Sequence, residues 1–210
     1  MSTVARKPFW LRTLASARST FESSLHPLRR SLARGRLRQR GLLRSVYFVC
    51  EGNIYRSPFA AAAFASALPA PLAESIRIGS DGFVGPGRTS PAEAVEAARR
   101  FGVDLTPHRS AQLHPSVQED WDLFVVMEPR QARALMRAGV SAERIVVLGD
   151  LDPLIPSRRT IADPWQRDVQ VLGESYRRID RCIRELARVG LGLPQPTAIR
   201  SDSAERAASS

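Results

Sequence analysis

Apolar and polar positions along this chain fall into blocks whose period switches between that of a strand and that of a helix. Val46, Tyr47, Phe48 and Val49 are β-branched or aromatic and predict a buried strand delivering Cys50 at its carboxyl end. Ser57-Pro58 and the alanines after it predict a helix through Ala60–Ala67, stopped near Pro69 and Pro71. Proline in a first helical turn removes no hydrogen bond. Ser75–Ser80 alternates as a second strand, and a loop rich in Gly and Pro follows from Asp81 to Thr89. Ser90-Pro91 opens a helix to about Phe101, which Gly102 ends. Asp122–Met127 is almost continuously apolar, the pattern of a central parallel strand. Residues 130–138 read as a helix, Ile145–Leu148 as the fourth strand, and Val169–Val189 as a last helix. Val171, Leu172, Tyr176, Ile179, Ile183 and Leu186 form the apolar face of that helix. Strands alternating with helices predict an α/β fold, a doubly wound, four-stranded parallel sheet flanked by helices in three layers. Ligands of such sheets bind at the carboxyl ends of the strands.

The elements begin at Ser45 and end near residue 190, which makes one domain over 45–190, an N-terminal extension over 1–44 and a polar, disordered tail over 191–210. Composition changes the picture mainly in the extension. Residues 1–44 contain Lys7 and ten arginines against Glu22 alone, so they carry the whole formal net charge of +10 and the domain is neutral. The basic balance therefore describes an appendage, and no specific nucleic-acid binding is expected. Phe9, Trp10, Leu11, Leu14, Phe21, Leu25 and Leu28 are spaced loosely enough for an amphipathic helix among arginines, the alternative being a mobile arm. An amphipathic arm of this kind suits an anionic membrane or an acidic partner. No run reaches the ~20 apolar residues of a membrane span. Two cysteines do not make a disulfide framework, and a reactive thiol requires a reducing compartment, so a cytoplasmic location is expected.

The chemistry concentrates in the loop between the first strand and its helix. Cys50 and Arg56 stand at its two ends, in the spacing C-x-x-x-x-x-R, and a loop aimed at a helix N-terminus directs backbone N–H groups at one anion. Thiolate is the reactive form of cysteine, favoured by a nearby cation and a helix dipole, and Ser57 can donate a hydrogen bond to it. The planar fork of Arg56 matches two phosphate oxygens, and Gly52 lets the backbone fold tightly. Asn53 can donate and accept at once, which suits holding a strained loop in shape. A thiolate that displaces an alkoxide or phenoxide from phosphorus needs a carboxylic acid to protonate the leaving oxygen. Asp152-Pro153 and Asp163-Pro164-Trp165 both offer one; Asp152 reads as a turn residue and Asp163 as the acid. Phe83 and Trp165 are candidate walls for a flat aryl group. His26 lies in the arm and His114 in a loop, neither beside a residue that argues for catalysis or a metal.

With Gly52, Asn53, Arg56, Ser57 and Pro58 all in place, the loop resembles the signature of the low-molecular-weight protein tyrosine phosphatases, V-C-x-G-N-x-x-R-S-P. The distant Asp-Pro-aromatic resembles that family's acid loop. The resemblance covers roughly Ser45 to Val189. It implies the family's type I phosphatase fold and a cofactor-free, metal-free hydrolysis of phosphotyrosine through a phosphocysteine on Cys50. Arg56 would clamp the phosphate, Asp163 would serve as acid and then base, and the loop residues Glu51, Gly52, Asn53, Ile54, Tyr55 and Ser57 would hold the substrate. Ser80 and His108 match the family's support for Asn53. The implied partner is a phosphotyrosine protein, a bacterial tyrosine kinase among the candidates. Several positions depart from the pattern. Tyr55 stands where many members carry a second cysteine, Glu51 puts a negative charge beside the loop and is expected to point outward, and Trp165-Gln166 replaces a tyrosine pair. Two other functions remain open. A thioredoxin-coupled arsenate reductase would need resolving thiols beyond Cys182, and a silent phosphotyrosine- or oxyanion-binding module would need neither Cys50 nor Asp163.

Overall fold

The computed structural model describes residues 20–114, 116 and 121–193. At the centre lies β1, Ser45–Cys50, buried along its whole length. β2 (Arg77–Gly82) pairs on one side of it, β3 (Leu123–Val126) on the other, and β4 (Ile145–Val147) lies beyond β3. Every pairing is parallel, in the order β2-β1-β3-β4. β2 runs two residues further than its alternation predicts, because Asp81 and Gly82 stay in register with Val49 and Cys50. The pleat sends successive residues to opposite faces. Val46, Phe48 and Cys50 join Leu123 and Val125 in one core, whereas Tyr47 and Val49 join Phe124 and Val126 in the other.

The helices cover both faces. α2 (Arg56–Ser66) and α6 (Val169–Gly190) pack on the first core, where Phe59 stacks on Tyr176 with ring centroids 3.9 Å apart. α4 (Ala92–Arg99) adds Ala94 and Ala98 to it, and α5 (Pro129–Arg137) places Leu135 in the second. A short helix that the sequence pattern does not predict, α3 (Ala70–Ser75), follows the expected stop. Pro71 sits in its first turn, where proline starts a helix as readily as it ends one. Because β2 and β3 flank β1 on opposite sides, the loops after β1 and β3 diverge and leave a crevice at the carboxyl ends of the two strands.

Within the extension read as mobile or amphipathic, residues His26–Gln39 form a helix, α1, packed against α6 and the 3-10 turn Leu148–Leu151. Ala33 and Leu37 are buried in the first core, and Arg30 and Arg34 reach Glu185 of α6 at 2.9 and 3.3 Å. The amphipathic pattern read over Phe9–Leu14 lies outside the described residues, as do residues 194–210 of the expected tail. Leu191 is buried in the first core. No helix among the described residues is long and apolar enough to cross a membrane.

Candidate active site

β1 ends at Cys50 and α2 begins at Arg56, so the five residues between them turn the chain back at the N-terminus of a helix. Asn53 makes that turn possible. It holds φ at +50°, a left-handed value that asparagine tolerates better than most residues. Its Nδ2 donates to Ser57 Oγ (2.9 Å) and Ser80 Oγ (3.0 Å), and its Oδ1 accepts from the Ala111 N–H (3.0 Å). His108 Nε2 lies 2.7 Å from the Asn53 carbonyl, which can only accept, so this nitrogen carries the ring proton. Burial pushes the His108 imidazole below its usual range, which favours that neutral form. Gly82 completes the fit from below. A Cβ there would come within 2.7 Å of the Glu51 carbonyl oxygen and 2.9 Å of the Asn53 nitrogen.

The network delivers two donors to the thiol: the Asn53 N–H at 3.2 Å and the Ser57 hydroxyl at 3.0 Å from Cys50 Sγ. Both stabilise a thiolate. Arg56, only 1% exposed, directs one nitrogen at Glu128 Oε1 (2.7 Å) and the Ile161 carbonyl (3.2 Å), and the other at Asp163 Oδ2. Burial alone would raise the Glu128 carboxyl, but hydrogen bonds from Arg130 and Arg56 outweigh it and hold Glu128 below the usual carboxylate range. Glu128 is thus an ionised anchor for the guanidinium. Arg130 continues the chain of charges to Glu51 at 2.9 Å, so the negative charge beside the loop turns to a cation and not to the thiol.

A cavity of about 260 Å³ opens above Cys50 and Arg56. Ile54, Tyr55, Val84 and Trp165 form its apolar sides, with Asp163, Glu51 and Arg88 at its polar positions. Tyr55 and Trp165 meet edge to face at 6.4 Å, and the Tyr55 hydroxyl is held by Glu93 (2.6 Å). Phe83 is not one of the walls. It packs on the second core with Tyr47 and Val49, and its neighbour Val84 lines the cavity instead. Gly52 faces Arg88, whose guanidinium donates to the Gly52 carbonyl at 2.7 Å and ties the loop to Val84 and Gly85. Asp152 is more than a turn residue. It is fully buried and held by Arg178 and Arg181 of α6. Cys182 is buried in α6, where burial pushes its thiol well up, so it is a poor candidate for a resolving thiol. His114 is exposed and bonds only to Ser116 among the described residues.

Sequence reasoning overlooked Glu128, Arg88 and Val84. A signal for Glu128 was present: it is the first charged residue after the all-apolar β3, at the strand end where such sheets bind ligands. Arg88 and Val84 carry no local signal, since only the path of the loop after β2 brings them to the cavity.

A family model described as low molecular weight phosphotyrosine protein phosphatase matches residues 45–203. A probable low molecular weight protein-tyrosine-phosphatase EpsP from Ralstonia nicotianae is 29% identical over 141 residues, which span 67% of this chain and 91% of the relative. Low molecular weight protein-tyrosine phosphatase A of Mycobacterium bovis is 34% identical over 129 residues, 59% of this chain and 77% of its own. Among solved structures, Vibrio vulnificus Wzb in complex with benzylphosphonate superimposes with a TM-score of 0.60 at 26% identity, covering 70% of this chain and 98% of that one.

Proposed function

The chain belongs to the low molecular weight phosphotyrosine protein phosphatase family and is a protein-tyrosine phosphatase, and on that footing we propose that Cys50 is its nucleophile, Arg56 its phosphate clamp and Asp163 its general acid and base. The observation that carries this assignment is the pair of hydrogen bonds, from the Asn53 N–H and the Ser57 hydroxyl, that converge on Cys50 Sγ at the start of α2. Cys50 thiolate attacks phosphorus as the bond from phosphorus to the aryl oxygen breaks, and Asp163 gives its proton to that oxygen. Water then attacks the phosphocysteine, Asp163 takes its proton, and the sulfur–phosphorus bond breaks to release phosphate. Arg56 and the loop amides take up the equatorial oxygens in both steps, while Glu128 keeps the guanidinium in place. A phosphate arriving at Arg56 competes with Asp163 for the same nitrogen and frees the carboxyl to turn toward the leaving oxygen. Ile54, Tyr55, Val84 and Trp165 favour a flat aryl group.

A phosphotyrosine protein is the substrate class, and a bacterial tyrosine kinase is the partner this reading favours. A reactive thiol needs a reducing compartment, which supports a cytoplasmic location. Exposed Leu28 and Leu32 beside Arg36 on α1 suit contact with an anionic membrane.

Hydrolysis of 4-nitrophenyl phosphate and phenyl phosphate by Cys50→Ser and Asp163→Asn tests the roles. Cys50→Ser is expected to abolish turnover. Asp163→Asn is expected to lower kcat/KM, which reports the phosphorylation step, by roughly 10²–10⁴-fold for phenyl phosphate and far less for the nitrophenyl ester, whose phenolate leaves without protonation. Retained turnover in Cys50→Ser would remove the phosphocysteine from the mechanism.

A further inference from the structure

The segment that carries Asp163 has no regular structure between the 3-10 turn at Leu148–Leu151 and the start of α6 at Val169, and it is gripped from two sides. The inner grip belongs to the domain. The Ile161 N–H donates to the Met127 carbonyl (3.0 Å), Ser175 Oγ to that of Ala162 (2.9 Å), and Arg178 reaches the carbonyls of Thr160 (2.8 Å) and Arg158 (2.7 Å).

The outer grip comes from residues that precede the matched family domain at 45. Glu22 Oε2 accepts from the Arg159 N–H (3.0 Å), Ser23 Oγ donates to the Pro156 carbonyl (3.1 Å), and His26 Nε2 lies 2.9 Å from the Asp152 carbonyl. His26 is buried, and because a carbonyl only accepts, its Nε2 carries the proton. The three contacts fall at intervals along one strip of loop, around Leu154 and Ile155, which are 60% and 67% exposed and contribute little packing of their own. α1 itself is attached separately, through Arg30 and Arg34 to Glu185. Attachment of the helix and bracing of the loop are therefore carried by different residues.

We propose that Glu22, Ser23 and His26 are positioning residues for the general acid: residues 22–26 brace the 152–159 strip from outside and so hold Asp163 where it can reach the leaving oxygen. This rests on the assignment of Asp163 as the acid. General-acid catalysis is steeply sensitive to geometry, since a misplacement of about 1 Å can cost roughly a hundredfold. Without the brace, the strip between Asp152, held by Arg178 and Arg181, and the Arg158 carbonyl, held by Arg178, would be fixed only at its ends and would sample many more positions.

The test compares the full-length triple variant Glu22→Ala/Ser23→Ala/His26→Ala with wild type, Asp163→Asn and Arg30→Ala/Arg34→Ala, on phenyl phosphate and 4-nitrophenyl phosphate. Rates are compared as kcat/KM, which reports the step that uses the acid, and normalised to the burst of trapped phosphoenzyme, so that unfolded molecules do not count; Ser23→Ala alone serves if the triple variant is recovered in low yield. The triple variant is expected to lose roughly tenfold on phenyl phosphate and less than about twofold on the nitrophenyl ester, a fraction of the general-acid contribution. His26→Gln, whose amide N–H can still donate to the Asp152 carbonyl, is expected to stay within about twofold of wild type on both. Equal losses on the two esters, no loss on either, or the same leaving-group dependence in Arg30→Ala/Arg34→Ala overturns the brace while leaving the acid assignment intact. If Asp163→Asn itself slows both esters equally, the acid assignment fails and the brace with it.

Discussion

Asn53 and Gly82 show how much of the site rests on single positions. One asparagine at φ +50° satisfies Ser57, Ser80, Ala111 and, through its carbonyl, His108, and its own N–H meets the thiol. Gly82 lets the loop backbone pass at a distance no side chain allows. Gly82→Ala is expected to lower kcat/KM for aryl phosphates by about a hundredfold or more, as the loop shifts and the donors to Cys50 lose their aim, with inhibition by inorganic phosphate weakened in parallel. Steady-state kinetics with phosphate as inhibitor checks this. Cys50, Asn53, Arg56 and Ser57 are legible in sequence because they lie within eight residues and the turn itself brings them together. Phe83 was misread for a reason of one residue. β2 continues to Gly82, and the next side chain faces the second core while Val84 faces the cavity.

At the level of elements, α6 and the turn that precedes the Asp163 loop are joined by a buried charge cluster. Burial alone would raise the Asp152 carboxyl, but hydrogen bonds from Arg181 and from the Leu154 N–H, with the charges of Arg181 and Arg178, hold it below the usual range. A carboxyl depressed in the folded state stabilises the fold above its unfolded pKa of about 3.9, and that contribution disappears as the pH falls through the lower, folded value. Asp152→Asn, which leaves two arginines short of a partner, is expected to cost roughly 3–5 kcal/mol at pH 7. The gap to wild type should close as the pH drops below about 4 in urea titrations. A gap independent of pH would mean that packing, and not the charge, is what Asp152 contributes. The sequence pattern located the last helix within one residue of its end, because its apolar face repeats over six positions. It gave no hint that Asp152 was buried, since an Asp-Pro pair in a turn looks the same whether solvent or a helix lies beyond it.

For the whole molecule, the division into a neutral domain and a basic extension is a matter of charge and does not coincide with the division of packing. Ala33, Leu37 and Leu43 lie in the same core as α2 and α6, and the Leu43 side chain sits where a Cβ on Gly190 would be 2.8 Å away. Deleting residues 1–44 is therefore expected to lower the thermal midpoint by roughly 10 °C, since losing several kcal/mol of burial shifts a chain of this size by about 2–4 °C per kcal/mol. A midpoint equal to that of the full chain would mark the extension as detachable. Sequence alone determined the order of the four strands along the chain and the tight loop that carries Cys50 and Arg56 to the start of a helix, because each is encoded in local periodicity or within one turn of chain. Only the tertiary structure decided that Glu128 anchors Arg56, that Arg130 draws Glu51 aside, that Val84 lines the slot and that residues 22–26 reach the loop leading to Asp163. Those contacts join positions from 72 to 137 residues apart or depend on strand register, and long-range proximity is set by how the layers pack, which no local pattern records.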